Sequence, residues 1–336
     1  MSDRAIFDKK NILVIGGAGF IGSHLCDELV KEAKVICLDN FLTSSDANIA
    51  HLHQNPSFEF INHDINVPIE LEKRPELRDF KIEFQGLQEI YFLASPTSPK
   101  FYDNYPIETM MVNSLGLNNA LQLAVKYKAK IIYTSSPAVY GELDTNKRIK
   151  EDYIGMVNQL SPRAVYAEAK RFGETLVNNY RLRLDIDAKI VRIFNCYGPK
   201  MSLDDGRMMP ELVRSALNNK DLVVFGKAND TGSYLYISDL IQALMAVVNS
   251  GEAGPLNIAS DAKYKFSEVA TKIVKLTESR SAITYHDRGS LMAPQFLADI
   301  SEVKEKLGWF PITLLDQGLK AIIDYLSAQK GVLKPK

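Results

Sequence analysis

Of the fifteen tyrosines in this 336-residue chain, only Tyr166 has a lysine four residues later, Lys170. On a helix that spacing puts both side chains on one face. A phenol ordinarily ionises at about pH 10 and is a poor base at neutrality, but a neighbouring ammonium favours the phenolate. A phenolate formed in this way can take a proton from an alcohol while a hydride leaves for an oxidised nicotinamide, whose positive charge favours the phenolate further. Lys170 is also expected to hold the nicotinamide ribose. The run Ser135-Ser136-Pro137-Ala138-Val139-Tyr140-Gly141 follows a strand-like segment, and a hydroxyl at Ser136 can hydrogen-bond the reacting oxygen. The bland alternative is an exposed Tyr-Lys pair on a helix beside an ordinary strand-end turn.

A second group of residues supplies the nicotinamide. Residues 16–22 read GGAGFIG, with Gly16, Gly19 and Gly22 three apart, between a β-branched run and a helical pattern. Glycines there permit a tight turn and let the backbone approach a pyrophosphate, whose charge meets the helix N-terminus. Asp39 ends the next strand-like run, 17 residues after Gly22. A carboxylate at that point accepts hydrogen bonds from an adenosine ribose and repels a 2′-phosphate, which favours NAD over NADP. Asp64 ends the third run and can face the adenine side. The spacing is unlike GxxxxGK[ST], so a P-loop is not indicated, and a glycine turn without nucleotide is the alternative.

Positioning these groups requires an α/β scaffold. Strands are predicted at 11–15, 34–38, 58–62, 89–94, 130–134 and 188–195. Helices are predicted at 21–30, at 110–126 as one long element, and at 166–180. Strands alternating with helices predict a Rossmann-type, doubly wound parallel sheet covered on both faces, with catalytic groups at its strand C-termini. After Gly198-Pro199 the pattern changes, with helices at 208–218 and 238–248 and a short strand at 222–225. The expected division is a dinucleotide-binding unit over 1–197, with 233–250 returning to it, and a smaller C-terminal substrate-binding lobe from 198–232 and 251–336.

Composition excludes several classes. Lys+Arg is 40 against Asp+Glu 41, so no global field draws nucleic acid or an anionic membrane. Lys126, Lys128 and Lys130 read as a solvated helix end. No apolar run has the length of a membrane span, and the N-terminus lacks the apolar stretch of a signal peptide. Cys26, Cys37 and Cys196 form no CxxC, and the five histidines form no HExxH. No disulfide framework or metal site is expected, His51 and His53 read as surface residues, and a reducing cytoplasm is the simplest compartment.

Together the motifs resemble the extended short-chain dehydrogenase/reductase family, whose NAD-dependent epimerases and dehydratases modify nucleotide sugars. The carriers are GGAGFIGSHL (16–25), LDNF (38–41), His63-Asp64, SSPAVYG (135–141), YAEAK (166–170), RIFNCYGP (192–199), YISDL (236–240) and LGWFP (307–311). Within the family, LASPTSP (93–99), SPRAVYAEAKR (161–171), IFNCYGPKM (193–201) and DDGRMM (204–209) are most similar to the UDP-glucuronate decarboxylases. The resemblance implies a tightly held NAD surrounded also by Phe20, Ile21, Asn40, Ile65, Leu93, Ala94 and Ser95. It implies oxidation of a sugar at C4 by Tyr166 and Lys170 with help from Ser136. Pro96, Arg163, Asn195 and Arg207 are then substrate-binding, and the substrate is a nucleotide sugar, UDP-linked in preference to GDP-linked. It further implies a homodimer, with the helices from Met110 and from Tyr166 paired in a four-helix contact.

Departures from the decarboxylase pattern bear on the net reaction. The group carries Ser/Thr-Ser-Glu where this chain has Ser136-Pro137-Ala138, and an arginine where it has Gly232. A second arginine of that pattern is replaced within residues 292–298. Dehydratases need an Asp-Glu pair at Pro137 and Ala138, so dehydration is disfavoured. C4 oxidation survives these losses. The alternatives to decarboxylation are a 4-epimerase and a 4-dehydrogenase that releases a keto sugar. A non-catalytic NAD-binding protein is remote, because binding alone does not need a phenolate.

Overall fold

The computed structural model describes residues 9–141, 147–161, 164–203, 206–287 and 296–332. Seven parallel strands form the central sheet: β1 (Asn11–Ile15), β2 (Lys34–Asp39), β3 (Phe58–Asn62), β4 (Glu89–Phe92), β5 (Lys130–Ser135), β6 (Ala188–Ile193) and β7 (Leu256–Ile258). Their order is β7-β6-β5-β4-β1-β2-β3. Ile15 is in register with both Leu38 and Phe92. The turns after β1, β2, β4 and β5 therefore emerge along one edge, and the order reverses beside β1, where open α/β sheets form their crevice.

Alternation within each strand builds two cores. Ile12 and Val14 face a layer made by α1 (Phe20–Leu29) and α5 (Ile237–Asn249), with Leu25, Leu29, Leu240 and Leu244 in it. Leu13 and Ile15 face α2 (Leu117–Tyr127) and α3 (Ala164–Leu184), against Leu121 and Val177. A strand buried on both faces must be apolar at every position, and NILVI shows that pattern from its second residue on.

The helix expected over 110–126 is composite. An α-helix at Pro106–Met111 passes into a π-helical stretch at Val112–Gly116 before α2. A Cβ at Gly116 would lie 2.9 Å from Ile65 Cγ2, so glycine lets this stretch pass close to the loop after β3. Asn113 within it is fully buried. Inserted π turns recur at functional sites, and apolar periodicity does not reveal them.

The smaller lobe packs α4 (Met208–Leu217), α6 (Phe266–Leu276) and α7 (Leu315–Val332) around Leu212, Val224, Phe266 and Leu319. Its boundary differs from the expectation. β7 lies beyond residue 250 yet pairs with β6, and Ala298, Ile300, Val303 and Trp309 pack into the core of the main sheet. Three residues, LNI, are too few to show a period, which is why this strand is invisible in the sequence. The YISDL and LGWFP motifs are joined here. Asp239, 1% exposed, accepts hydrogen bonds from Thr313 N and Thr313 Oγ1, both at 3.0 Å, and its carbonyl accepts one from Trp309 Nε1. These two motifs therefore tie the C-terminal segment to the main domain.

Cys26 and Cys37 are buried free thiols, and His51 and His53 pair with Asp27 and Asp46 at the surface. Among the described residues no helix is long and apolar enough to cross a membrane, and no group of three or more His, Cys, Asp and Glu could hold a metal ion.

Candidate active site

The turn after β1 is shaped by its glycines. Gly16 has φ +83°, and a Cβ there would lie 2.7 Å from the Ala94 nitrogen. A Cβ at Gly22 would collide with the Gly16 carbonyl. Gly19 caps α1 without a side-chain hydrogen bond, which leaves the first-turn N–H groups available to an anion. Asp39, 8% exposed, fastens this turn to the loop after β2: its carboxylate accepts from Ala18 N at 3.0 Å, Phe41 N at 2.9 Å and Ser44 Oγ at 2.7 Å. Asp64 Oδ1 accepts from Asn66 N at 2.9 Å and shapes the loop after β3.

A cleft opens between these loops. Gly16 and Gly19 after β1, Asp39 and Asn40 at the end of β2, Asp64 and Ile65 after β3, and Leu93, Ala94, Ser95 and Pro96 after β4 line it. His63 of the His63-Asp64 motif lines it too, as do Ser44, Asn66 and Glu108, which were not singled out in the sequence. Phe20, Ile21 and Gly22 form the first turn of α1, with Phe20 packed against the cores of both the sheet and the smaller lobe. A cleft with a side-chain-free turn, a helix N-terminus and acids at two strand ends fits a dinucleotide. A Gly16→Ala variant must place a side chain at positive φ, at a cost of about 1–2 kcal/mol; when the turn shifts to escape that strain, restoring it on binding costs the same energy, roughly tenfold in NAD affinity before the clash with Ala94 is counted. The NAD content of the purified variant, read after denaturation, is expected to fall accordingly.

The catalytic candidates gather on β5 and α3, and β5 neighbours β4, whose following loop lines this cleft. Tyr166 and Lys170 lie one turn apart on α3, with the ammonium 5.8 Å from the Tyr166 ring centre. Ser136 follows β5, accepts from Ala138 N at 3.2 Å, and shares a hydrogen bond with the Tyr166 phenol. Burial pushes the phenol up to about 12, opposed by the Ser136 hydrogen bond and by the positive charge of Arg207. Lys170 is 2% exposed and donates to the Thr134 carbonyl at 2.9 Å. Burial lowers its pKa to about 7, and Glu174 works in the opposite direction.

That depressed lysine makes a prediction about stability. Between pH 7 and its ordinary range, Lys170 is protonated in the unfolded chain and largely neutral in the folded one. The unfolded state therefore binds more protons, and stability must rise with pH in that window. Thermal unfolding of NAD-free protein from pH 7 to 9.5 is expected to show this rise, and Lys170→Met is expected to flatten it.

Several partners have no local sequence signature. Tyr102, 4% exposed, stacks on Tyr166 with ring centres 5.3 Å apart and planes 11° apart. Tyr133, fully buried, lies under the Lys170 ammonium at 4.9 Å and donates to Asn113 Oδ1 at 3.0 Å; Asn113 Nδ2 in turn donates to Ser95 Oγ at 2.9 Å. This chain links the lysine to the cleft. Arg207 Nη2 donates to Thr97 Oγ1 at 2.6 Å, bridging the smaller lobe and the loop after β4. Asn195, at φ +24°, donates to the Ser233 carbonyl at 3.2 Å. Arg163 lies outside the described residues. Pro137 and Ala138 form the short 3-10 turn after Ser136 and carry no carboxylate, and Gly232 sits in a two-residue strand paired with Tyr264–Lys265.

Comparison with known proteins agrees with this geometry. The profile of the NAD dependent epimerase/dehydratase family matches residues 12–259. UDP-glucuronic acid decarboxylase 1 of Danio rerio is 35% identical over 96% of this chain and 74% of its own length. UDP-glucuronic acid decarboxylase 6 of Arabidopsis thaliana is 36% identical over 96% of this chain and 90% of its own. The solved structure of a UDP-glucuronic acid 4-epimerase from Bacillus cereus with NAD superposes with a TM-score of 0.80 at 28% identity, covering 95% of this chain and 99% of that one. With a dinucleotide cleft at the crossover of a parallel sheet and a family match across most of its length, the chain belongs to the NAD-dependent epimerase/dehydratase family.

Proposed function

We propose that this enzyme oxidises C4 of a UDP-linked hexuronic acid, with decarboxylation as the net reaction. The observation that carries the proposal is the convergence of the Tyr166 phenol, the Ser136 hydroxyl and the buried Lys170 ammonium beside the dinucleotide cleft. The similar decarboxylases and the 4-epimerase are all named for UDP-glucuronic acid, which supports that substrate. When bound, NAD supplies the acceptor, and later the donor, of a hydride at C4.

The protein's own groups handle the proton and the charge. Tyr166 takes the proton of the C4 hydroxyl, Ser136 hydrogen-bonds the same oxygen, and Lys170 stabilises the phenolate. The resulting ketone is β to the C6 carboxylate. When the C5–C6 bond breaks, its electron pair passes into the ketone as an enolate and CO2 departs. C5 then takes a proton from water, and Tyr166 returns its proton to the C4 oxygen as the ketone is reduced. This loss of CO2 needs no dedicated base, which is compatible with a methyl group at Ala138. Asn195 and Arg207 are assigned to the diphosphate. The lobe carrying Arg207 is assigned to the sugar nucleotide.

The same Ala138 favours a second outcome, 4-epimerisation, in which the keto sugar turns over before reduction. The two are separated by incubating the protein with UDP-glucuronate, UDP-glucose and a GDP-hexose and weighing the products. A product lighter by CO2 supports decarboxylation, an isomer supports epimerisation, and accumulated NADH identifies a 4-dehydrogenase. Absence of turnover with every sugar nucleotide overturns the proposal. A homodimer through Pro106–Met111 and α3 belongs to the same proposal, because Ile107, Met110, Met111, Leu115 and Phe172 are exposed there. Light scattering tests it.

A further inference from the structure

Given oxidation by Tyr166, we propose that Glu174 is the positioning residue of the catalytic pair: clamped by Arg192 and Ser135, its carboxylate favours the charged form of the Lys170 side chain against the burial that opposes it. Residues 166, 170 and 174 recur at four-residue intervals on α3, so Tyr166, Lys170 and Glu174 form one stripe. Glu174 Oε1 accepts from Ser135 Oγ at 2.5 Å and Arg192 Nε at 2.9 Å, while Oε2 accepts from Arg192 Nη2 at 2.7 Å. Lys170 is anchored on the adjacent residue of β5, at the Thr134 carbonyl. These two side chains of α3 are therefore anchored on successive residues of β5.

The clamp is fully engaged. Arg192 Nη1 also donates to Tyr140 Oη and to the Glu151 carbonyl, both at 2.8 Å, and the guanidinium lies 4.7 Å from the Tyr140 ring centre. The pair is enclosed, with side-chain exposures of 10% for Arg192 and 14% for Glu174. An enclosed ion pair adds less stability than well-packed apolar groups of the same volume, so structural support alone is a weak reason for it.

The charged and titratable groups around the pair act separately. On α3 they are Tyr166 and Glu174, from β5 Tyr133, and from β6 Arg192, which is committed to Glu174. Tyr102 stacks on the phenol, and Arg207 and Cys196 lie beyond β6. Glu174 is the charge that raises the Lys170 pKa, whereas the phenol responds to Ser136, Arg207 and Tyr102. Removing the Glu174 charge therefore alters the lysine and not the phenol.

The pH profile reads this directly. The pair loses its first proton mainly from Lys170, yet the competent form is phenolate with ammonium, which carries the same proton count as phenol with amine. Lowering the lysine pKa thus moves the ascending limb of kcat to lower pH and lowers the plateau, about tenfold for each unit of movement. In Glu174→Gln, assayed as the NAD-loaded enzyme with UDP-glucuronate from pH 5 to 9, both changes are expected together. A lower plateau with an unmoved limb is what a merely structural role gives, and it overturns the proposal, as does an unchanged profile. If Glu174→Gln does not fold, Ser135→Ala, which loosens the carboxylate without removing a charge, takes the same test: a limb moved to lower pH supports the proposal and an unmoved one overturns it. Wild-type enzyme that turns over no sugar nucleotide fails the proposed function itself, whereas turnover with an unmoved limb fails the Glu174 role alone.

Discussion

Replacing Tyr166 by phenylalanine is expected to lower kcat by about 10²–10⁴-fold, the range supplied by a positioned acid–base group, with NAD content and folding little changed. The ring stays, so the stack on Tyr102 at 5.3 Å survives. What disappears is the one phenol that hydrogen-bonds Ser136 and stands beside the Lys170 ammonium. Burial works against ionisation of that phenol, raising it to about 12, so the protein must offset burial to use it as a base. Ser136 and Arg207 do so in part, and a cation on Lys170 does so further. The residual activity of the variant should also lose the pH-dependent limb, because no phenol remains at C4 to exchange the proton. Mass-spectrometric turnover assays across pH 5–9 measure both effects. A kcat within about tenfold of wild type removes Tyr166 from the mechanism.

How much of this was legible in the sequence depended on whether the signal was local. The runs NILVI and FEFIN are strands with the bounds predicted from them, because short runs of β-branched or aromatic residues end abruptly at glycines or at a polar turn. Six of the seven sheet strands and the helices carrying Gly19, Tyr166 and Arg207 at or near their first turns follow from such patterns. The cleft likewise gathers Gly16, Asp39, Asp64 and Ala94 at successive strand ends, as an alternating parallel sheet requires. What was hidden is non-local. Tyr133 meets Asn113 across 20 positions and Glu174 meets Arg192 across 18, and neither pair has a spacing that a helix or strand would announce. The π-helical stretch that holds Asn113 and the three-residue β7 are too short to imprint a period. The Tyr-Lys pair was visible because both partners share one helix; its support was not, because that support arrives from β5, β6 and the loop after β4.

That non-local support also carries a large share of stability at one point. Arg192→Met is expected to destabilise the fold by about 3–5 kcal/mol, the usual result of leaving one partner of an enclosed ion pair without its counter-charge. The substitution removes two hydrogen bonds to Glu174 and those to Tyr140 and the Glu151 carbonyl. Glu174 keeps only Ser135 among the partners described here. Most of the loss should come from the stranded carboxylate and not from the missing guanidinium. The double variant Glu174→Gln/Arg192→Met therefore tests the cause: removing both charges should recover a large part of the stability lost by Arg192→Met alone, the pair being coupled by contact. Urea unfolding with the slope held constant measures each corner of this cycle. If the double variant is as unstable as the single one, the destabilisation lies in the Tyr140 and Glu151 contacts, and the ion pair is not what fastens α3 to β6. If it recovers, the charges on Glu174 and Arg192 cost nearly as much to enclose as they return in stability, and their retention beneath Lys170 is explained by the chemistry of the lysine above them.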